Sequence, residues 1–375
     1  VKVRVPEHIL KIAPYVPGKP IEEAERQLGI RQVVKLASNE NPLGPSPRAL
    51  KAIRDTVGRV HRYPDSRGHD LRQALAERLR LPADQIVLGN GSTELVEILA
   101  KTFLSRDRGA VIADQSFIMY SIAVRAMAAP LRLVPLVDNR HDLESMAMTC
   151  DDTTALVYIG NPNNPTGTHV GRAAFDAYFS RVPSHVLTVV DEAYRDYVEV
   201  ADYPDCLDDL RQGRNVVVLR TFSKIYGLAG MRIGYALTVK EVAQALEGVR
   251  SPFNTSVLAQ AAACAALEDV DHVARSKAEN SLEAAFLAAE LSRRGVKFVP
   301  TVANFFLVFT SRKGEEAYQA LLRLGVIVRP MDAYGFAHAV RVSVGTRQEN
   351  ERFLEALDQV AAGATDRGRK TYSVS

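Results

Sequence analysis

The feature that most constrains this 375-residue chain is an alternation. Between about residues 85 and 236, short runs rich in Val, Ile, Leu or Tyr take turns with longer segments of helical period, the pattern of a parallel sheet wrapped by helices. Seven strands are predicted, over residues 85–88, 109–113, 131–136, 155–159, 187–190, 215–219 and 233–237. Their nearly continuous apolar character implies that both faces of the sheet are covered.

The texture changes after Ser251 and Pro252, where an Ala-rich helical stretch runs through Leu291. A strand over 304–309, a helix over 315–324, strands over 326–328 and 340–344 and a closing helix from Glu349 follow. The expected fold class is α/β: a large domain over 40–250 with a mostly parallel seven-stranded sheet between helices, and a smaller α+β domain from 1–39 and 251–375. The start of the chain, broken by Pro6, Pro14, Pro17 and Pro20, reads as an arm or a contributor to the small domain. The tail from Gly363 to Ser375 lacks apolar period and is expected to fray.

Composition narrows the function by exclusion. Hydrophobic residues make up 47% and charged residues 24%, which is ordinary for a globular chain. The net charge of +3 is spread along the sequence, with no basic block for nucleic acid or an anionic membrane. Cys150, Cys206 and Cys264 are isolated and odd in number, so neither a disulfide framework nor a metal site is expected, and a reducing cytoplasm fits. No apolar run is long enough to suggest a signal peptide or a transmembrane helix.

In open parallel sheets, ligands bind outside the carboxyl ends of the strands. Three neighbouring predicted strands end in GNPNNPTG (160–167), DEAY (191–194) and RTFSK (220–224), which would bring Asn164, Asp191, Tyr194, Ser223 and Lys224 to one crevice. A lysine amine in such a setting, its pKa lowered by desolvation or a nearby cation, is suited to a Schiff base with an aldehyde cofactor. Thr221, Ser223 and Arg232 would supply donors for a phosphate. GNGSTE (89–94) offers a second phosphate contact where a strand turns into a helix near Thr93, through Ser92 and Thr93. It misses the dinucleotide fingerprint, because Glu94 stands where the third glycine belongs. Asp191 closes an apolar strand and needs a cationic partner, which a protonated pyridine nitrogen would provide. Tyr194 and Asn164 could donate to the oxygen of the same ring.

These motifs, with KLASNENPLGPSP (35–47), YPD (63–65), TFSKIYGLAGMRIGY (221–235), GVIVRP (325–330) and VRVSVGT (340–346), resemble the fold-type I pyridoxal-phosphate (PLP) aminotransferases, and within them the histidinol-phosphate branch. The resemblance implies a PLP transaminase of histidine biosynthesis. Lys224 would carry the cofactor, Asp191 pair with its ring nitrogen, and Asn164 and Tyr194 contact its ring oxygen. Ser92, Thr93, Thr221, Ser223 and Arg232 would hold its phosphate, and Phe117 would stack on its ring where relatives commonly place tyrosine. Tyr63 would reach the cofactor phosphate of a partner subunit, which implies a homodimer with shared sites. Substrate recognition would fall to Tyr15, Asn39, Tyr120, Arg329 and Arg341. Two rival readings keep the cofactor: an aromatic amino-acid aminotransferase, and a PLP decarboxylase acting on an amino-acid phosphate.

Overall fold

The computed structural model describes residues 3–369, with residues 363–369 described as backbone only. Its largest sheet has seven strands, in the order Ile86–Gly89, Gly234–Leu237, Val216–Thr221, Leu187–Asp191, Thr154–Gly160, Gly109–Ala113, Leu131–Val134. Gly234–Leu237 runs antiparallel to both its neighbours and every other pairing is parallel. The exception has a simple cause. The link from Thr221 to Gly234 contains no α-helix to cross a face of the sheet, only the short 3-10 turn Ala229–Met231, and the chain turns back beside the strand it left.

Alternate residues of the strands feed two separate cores. Val111, Val157, Ile159, Val190 and Val218 pack on one side, and Ala110, Ile112, Leu156, Tyr158, Val189 and Val217 on the other. Both faces are thus dry, as the unbroken apolar runs require. Several predicted edges move by a residue or two. The third strand stops at Val134 rather than 136, because Pro135 has no N–H to give the ladder.

A second, four-stranded antiparallel sheet joins Arg329–Pro330, Ala339–Ser343, Phe305–Phe309 and Phe298–Val299. Near it Val34–Lys35 pairs in parallel with Val326–Ile327, so the early segment supplies a strand as well as an arm. The Ala-rich stretch is not one helix. Asp269 ends Val257–Glu268 and caps Val270–Arg293, its carboxylate accepting from the His272 N–H. The first of these helices buries Ala259, Ala262, Ala263 and Ala266 in the same core as Leu71 and Leu75 beneath the large sheet. The break at Ser251 and Pro252 therefore precedes the change of packing instead of marking it. The closing helix runs Arg347–Arg369, so the backbone stays helical past Gly363 where fraying was expected. The rest of that tail lies outside the described residues.

Candidate active site

A cleft of about 250 Å³ opens at the carboxyl ends of the central strands. Its lining includes Tyr15, Asn39, Ser92, Thr93, Phe117, Tyr120, Asn164, Asp191, Tyr194, Thr221, Ser223, Lys224, Arg232 and Arg341. Fourteen of the sixteen residues singled out in the sequence are thus brought together; Tyr63 and Arg329 are not. The described residues contain no group of three or more metal-ligating side chains and no helix long and apolar enough to cross a membrane.

Lys224 sits on the turn after Val216–Thr221, where its Nζ donates to the Ser38 carbonyl at 2.9 Å and lies 5.5 Å from the centre of the Tyr194 ring. Burial, helped by the positive charge of Arg341, pulls its amine down to about 7. A large share of the amine is therefore unprotonated and nucleophilic near neutrality. Asp191 shows the opposite effect: burial pushes its carboxyl up to about 6, although Tyr120 Oη donates to its Oδ2 at 2.9 Å and the Ala193 N–H to its Oδ1 at 3.1 Å. That carboxylate is short of a cation.

The phosphate-binding candidates form a ring of donors at the other end. Arg232 Nη1 donates to Ser223 Oγ at 3.1 Å, and the Ser223 N–H to Thr221 Oγ1 at 3.1 Å. Ser92 and Thr93 open the helix Ser92–Phe103, whose N-cap is Gly91, so neither hydroxyl is spent as a cap. Glu94, which spoils the dinucleotide fingerprint, accepts instead from the Asn90 N–H at 2.6 Å and secures the turn. First-turn amides with free hydroxyls and a guanidinium make an oxyanion site.

Three of the expected substrate contacts have protein partners of their own. Tyr120 is buried and gives its hydroxyl to Asp191 rather than to the open cleft. Asn39 lines the cleft, but its Nδ2 donates to Tyr194 Oη at 2.9 Å and its Oδ1 accepts from Ser343 Oγ at 3.1 Å. Arg329 lies behind the lining, its guanidinium carbon 4.9 Å from the centre of the Tyr15 ring. Arg341 does reach the cleft, donating to Asn164 Oδ1 at 2.5 Å and to the Ala37 carbonyl at 2.8 Å. Tyr63 is 82% exposed and stacks on Phe253 at 4.6 Å, in a surface hollow that shares Arg232 with the cleft.

The sequence reading missed Ser38, Glu40 and Tyr334. Ser38 acts through its carbonyl, which any residue carries and no motif reveals. Tyr334 could have been found as the tyrosine between the two strands that hold Arg329 and Arg341.

The model of the family "Aminotransferase class I and II" matches residues 31–357, and the chain belongs to that family. Among its relatives, histidinol-phosphate aminotransferase of Moorella thermoacetica is 47% identical over 95% of this chain and 92% of its own. Histidinol-phosphate aminotransferase 2 of Pseudomonas aeruginosa is 47% identical over 94% of this chain and 96% of its own. The crystal structure of histidinol-phosphate aminotransferase from Sinorhizobium meliloti in complex with pyridoxal-5'-phosphate superposes with a TM-score of 0.88 at 30% identity, covering 97% of this chain and 99% of that one.

Proposed function

We propose that this chain is a PLP-dependent transaminase that moves an amino group from glutamate to imidazole-acetol phosphate, giving histidinol phosphate. One observation carries the reading: a lysine pulled down to about 7 and an aspartate short of a cation line the same cleft as a ring of phosphate donors. These are the three holds PLP offers, an aldehyde, a basic ring nitrogen and a phosphate. The relatives named above support the substrate.

Bound PLP supplies an electron sink for the substrate's Cα bonds. Lys224 Nζ would anchor it covalently, Asp191 hold its ring nitrogen, Asn164 and Tyr194 its ring oxygen, and Phe117 one ring face. Ser92, Thr93, Thr221, Ser223 and Arg232 would hold its phosphate. Freed from that anchor, Lys224 Nζ would be the base that takes the proton from the substrate Cα and the acid that delivers it to the carbon that was the cofactor's aldehyde. Arg341, a planar fork in the cleft, can grip either the carboxylate of glutamate or a phosphate, with Tyr15 backed by Arg329 at the rim. Tyr120 and Asn39 serve the site through Asp191 and Tyr194.

Residues 40–250, with the helix Val257–Glu268 packed into their core, make up the PLP-binding domain and the rest of the chain the small domain, in a cytoplasmic homodimer. The exposed Tyr63–Phe253 stack beside Arg232 supports a partner copy there, with Tyr63 of one protomer reaching the phosphate site of its partner.

Adding PLP to the purified chain should give a visible absorption band, and borohydride reduction should tag Lys224. Lys224→Ala should still bind PLP without turnover; an active variant, or a wild type that takes up no PLP, overturns the reading. Turnover of histidinol phosphate against phenylalanine, with 2-oxoglutarate as acceptor, tests the substrate.

A further inference from the structure

Two charged side chains that the reaction does not use lie one residue away from two that it does. Glu192 follows Asp191, and Arg220 precedes Thr221. Their side chains are 0% and 6% exposed. Arg220 Nε donates to Glu192 Oε2 at 2.8 Å, and Nη2 lies 2.8 Å from the same oxygen but off the line of a hydrogen bond. Arg195 Nε, 3.8 Å from Glu192 Oε2, Asp196 Oδ1, 3.7 Å from Arg195 Nη1, and Asp205 Oδ1, 3.5 Å from Arg220 Nη2, complete a cluster of two cations and three anions.

The pair joins neighbouring strands at their carboxyl ends. Asp191 stands opposite Leu219, and the Glu192 N–H donates to the Leu219 carbonyl at 2.9 Å. Successive residues along a strand face opposite ways. Asp191 and Thr221 accordingly line the cleft while Glu192 and Arg220 do not. A buried ion pair is a poor source of stability, since apolar side chains of similar volume often serve as well or better. Geometry offers the better reason for its position. One strand carries Asp191, and the other leads within a few residues to Lys224; these two groups must hold opposite ends of one rigid ring. Glu192 also adds its negative charge to the forces that push the Asp191 carboxyl up, and Arg220 lies where it offsets that charge.

We propose that Glu192 and Arg220 are positioning residues, and that their buried ion pair sets the separation of Asp191 and Lys224 by tying together the two strand ends that carry them. The proposal rests on the PLP reading above. Its test is the full chain carrying Glu192→Leu with Arg220→Met, apolar replacements of similar size. Circular dichroism follows the fold, titration the affinity for PLP, and the visible absorption of bound PLP across pH the spectroscopic signature.

The double variant is expected to keep its fold, to bind PLP at least about tenfold more weakly, as a displaced reacting group would cause, and to titrate at a different pH. Arg220→Lys, which keeps the charge but not the fork, should fall between it and wild type. A folded double variant with wild-type affinity, within about twofold, and an unmoved titration would overturn the proposal. Should the double variant not fold, Glu192→Gln decides by the same readouts and limits. Wild type run alongside separates the two failures: no PLP uptake by wild type rejects the PLP reading, whereas normal uptake with unaltered variants rejects only the pair.

Discussion

Tyr120 Oη donates to Asp191 Oδ2 at 2.9 Å from beneath the cleft, where the tyrosine ring stacks on Tyr158 at 5.0 Å. The ring is therefore held independently of any ligand, and its hydroxyl favours the ionised form of Asp191. A hydrogen bond to a charged acceptor contributes about 1.5–3 kcal/mol. Tyr120→Phe should keep the fold and the stack, push the Asp191 carboxyl higher still, and weaken PLP binding by about tenfold or more. Titration of the apo-protein with PLP near pH 7 measures the change, and affinity equal to wild type would show that the hydroxyl does not serve Asp191.

The two shifted groups also predict how the apo-protein's stability follows pH. For Lys224 the folded value is about 7 against an ordinary 10.5, so between these values the folded chain binds fewer protons than the unfolded one. Stability from this group then rises with pH across that window, and its penalty is complete below about 7. Asp191 has a folded value of about 6 against an ordinary 3.8, so its contribution is fully present below 3.8 and lost as pH rises through about 6. Near neutrality both groups cost the apo-protein stability. Lys224→Met should be more resistant to urea than wild type at pH 7, with the gap narrowing towards pH 10. Asp191→Asn should remove the decline across the acidic window, and parallel urea curves for wild type and variants at every pH would contradict both assignments.

Most of the large sheet was legible in the sequence because parallel strands covered on both sides must be continuously apolar, and Val216, Val217 and Val218 leave little alternative. The cleft was legible for a related reason: polar residues that end such strands, as Asp191 and Lys224 do, have nowhere to gather but the carboxyl edge. What escaped was whatever depends on direction rather than identity. Nothing in the order of residues shows that Tyr120 points at Asp191, that Asn39 is spent on Tyr194, or that Arg329 lies behind Tyr15. The split of the Ala-rich stretch was visible in principle, since Asp269 is a good N-cap, but a single cap within a long run of helix formers is a weak signal.

Asn39 combines two constraints that a pair of variants can separate. Its φ is 55°, in the left-handed region, and its side chain bonds Tyr194 Oη and Ser343 Oγ. Asparagine tolerates that conformation better than most residues, whereas alanine pays about 1–2 kcal/mol for it. Asn39→Ala should therefore lose the backbone allowance together with two hydrogen bonds worth about 1 kcal/mol each. Asn39→Gly should lose only the bonds. Urea unfolding should place the glycine variant between wild type and the alanine variant. If the two variants coincide, the left-handed backbone has no measurable cost here.

Gly91 gives the sharpest test of the phosphate site. Its φ of 77° and ψ of 166° lie in a region open essentially only to glycine, and a Cβ built there would stand 2.2 Å from Arg232 Nη2. The neighbour it strikes is the tip of a long side chain, so the guanidinium can swing away and the fold can survive. The donor ring cannot, because Arg232 is then drawn off Ser223 Oγ. Gly91→Ala should lose about 1–3 kcal/mol of stability from the strained backbone. It should also lose most of the PLP affinity that Arg232→Ala loses, with the double variant little worse than either, because both changes disable the same guanidinium. Additive losses in a titration of all three variants with PLP would mean that glycine and arginine serve the cofactor separately.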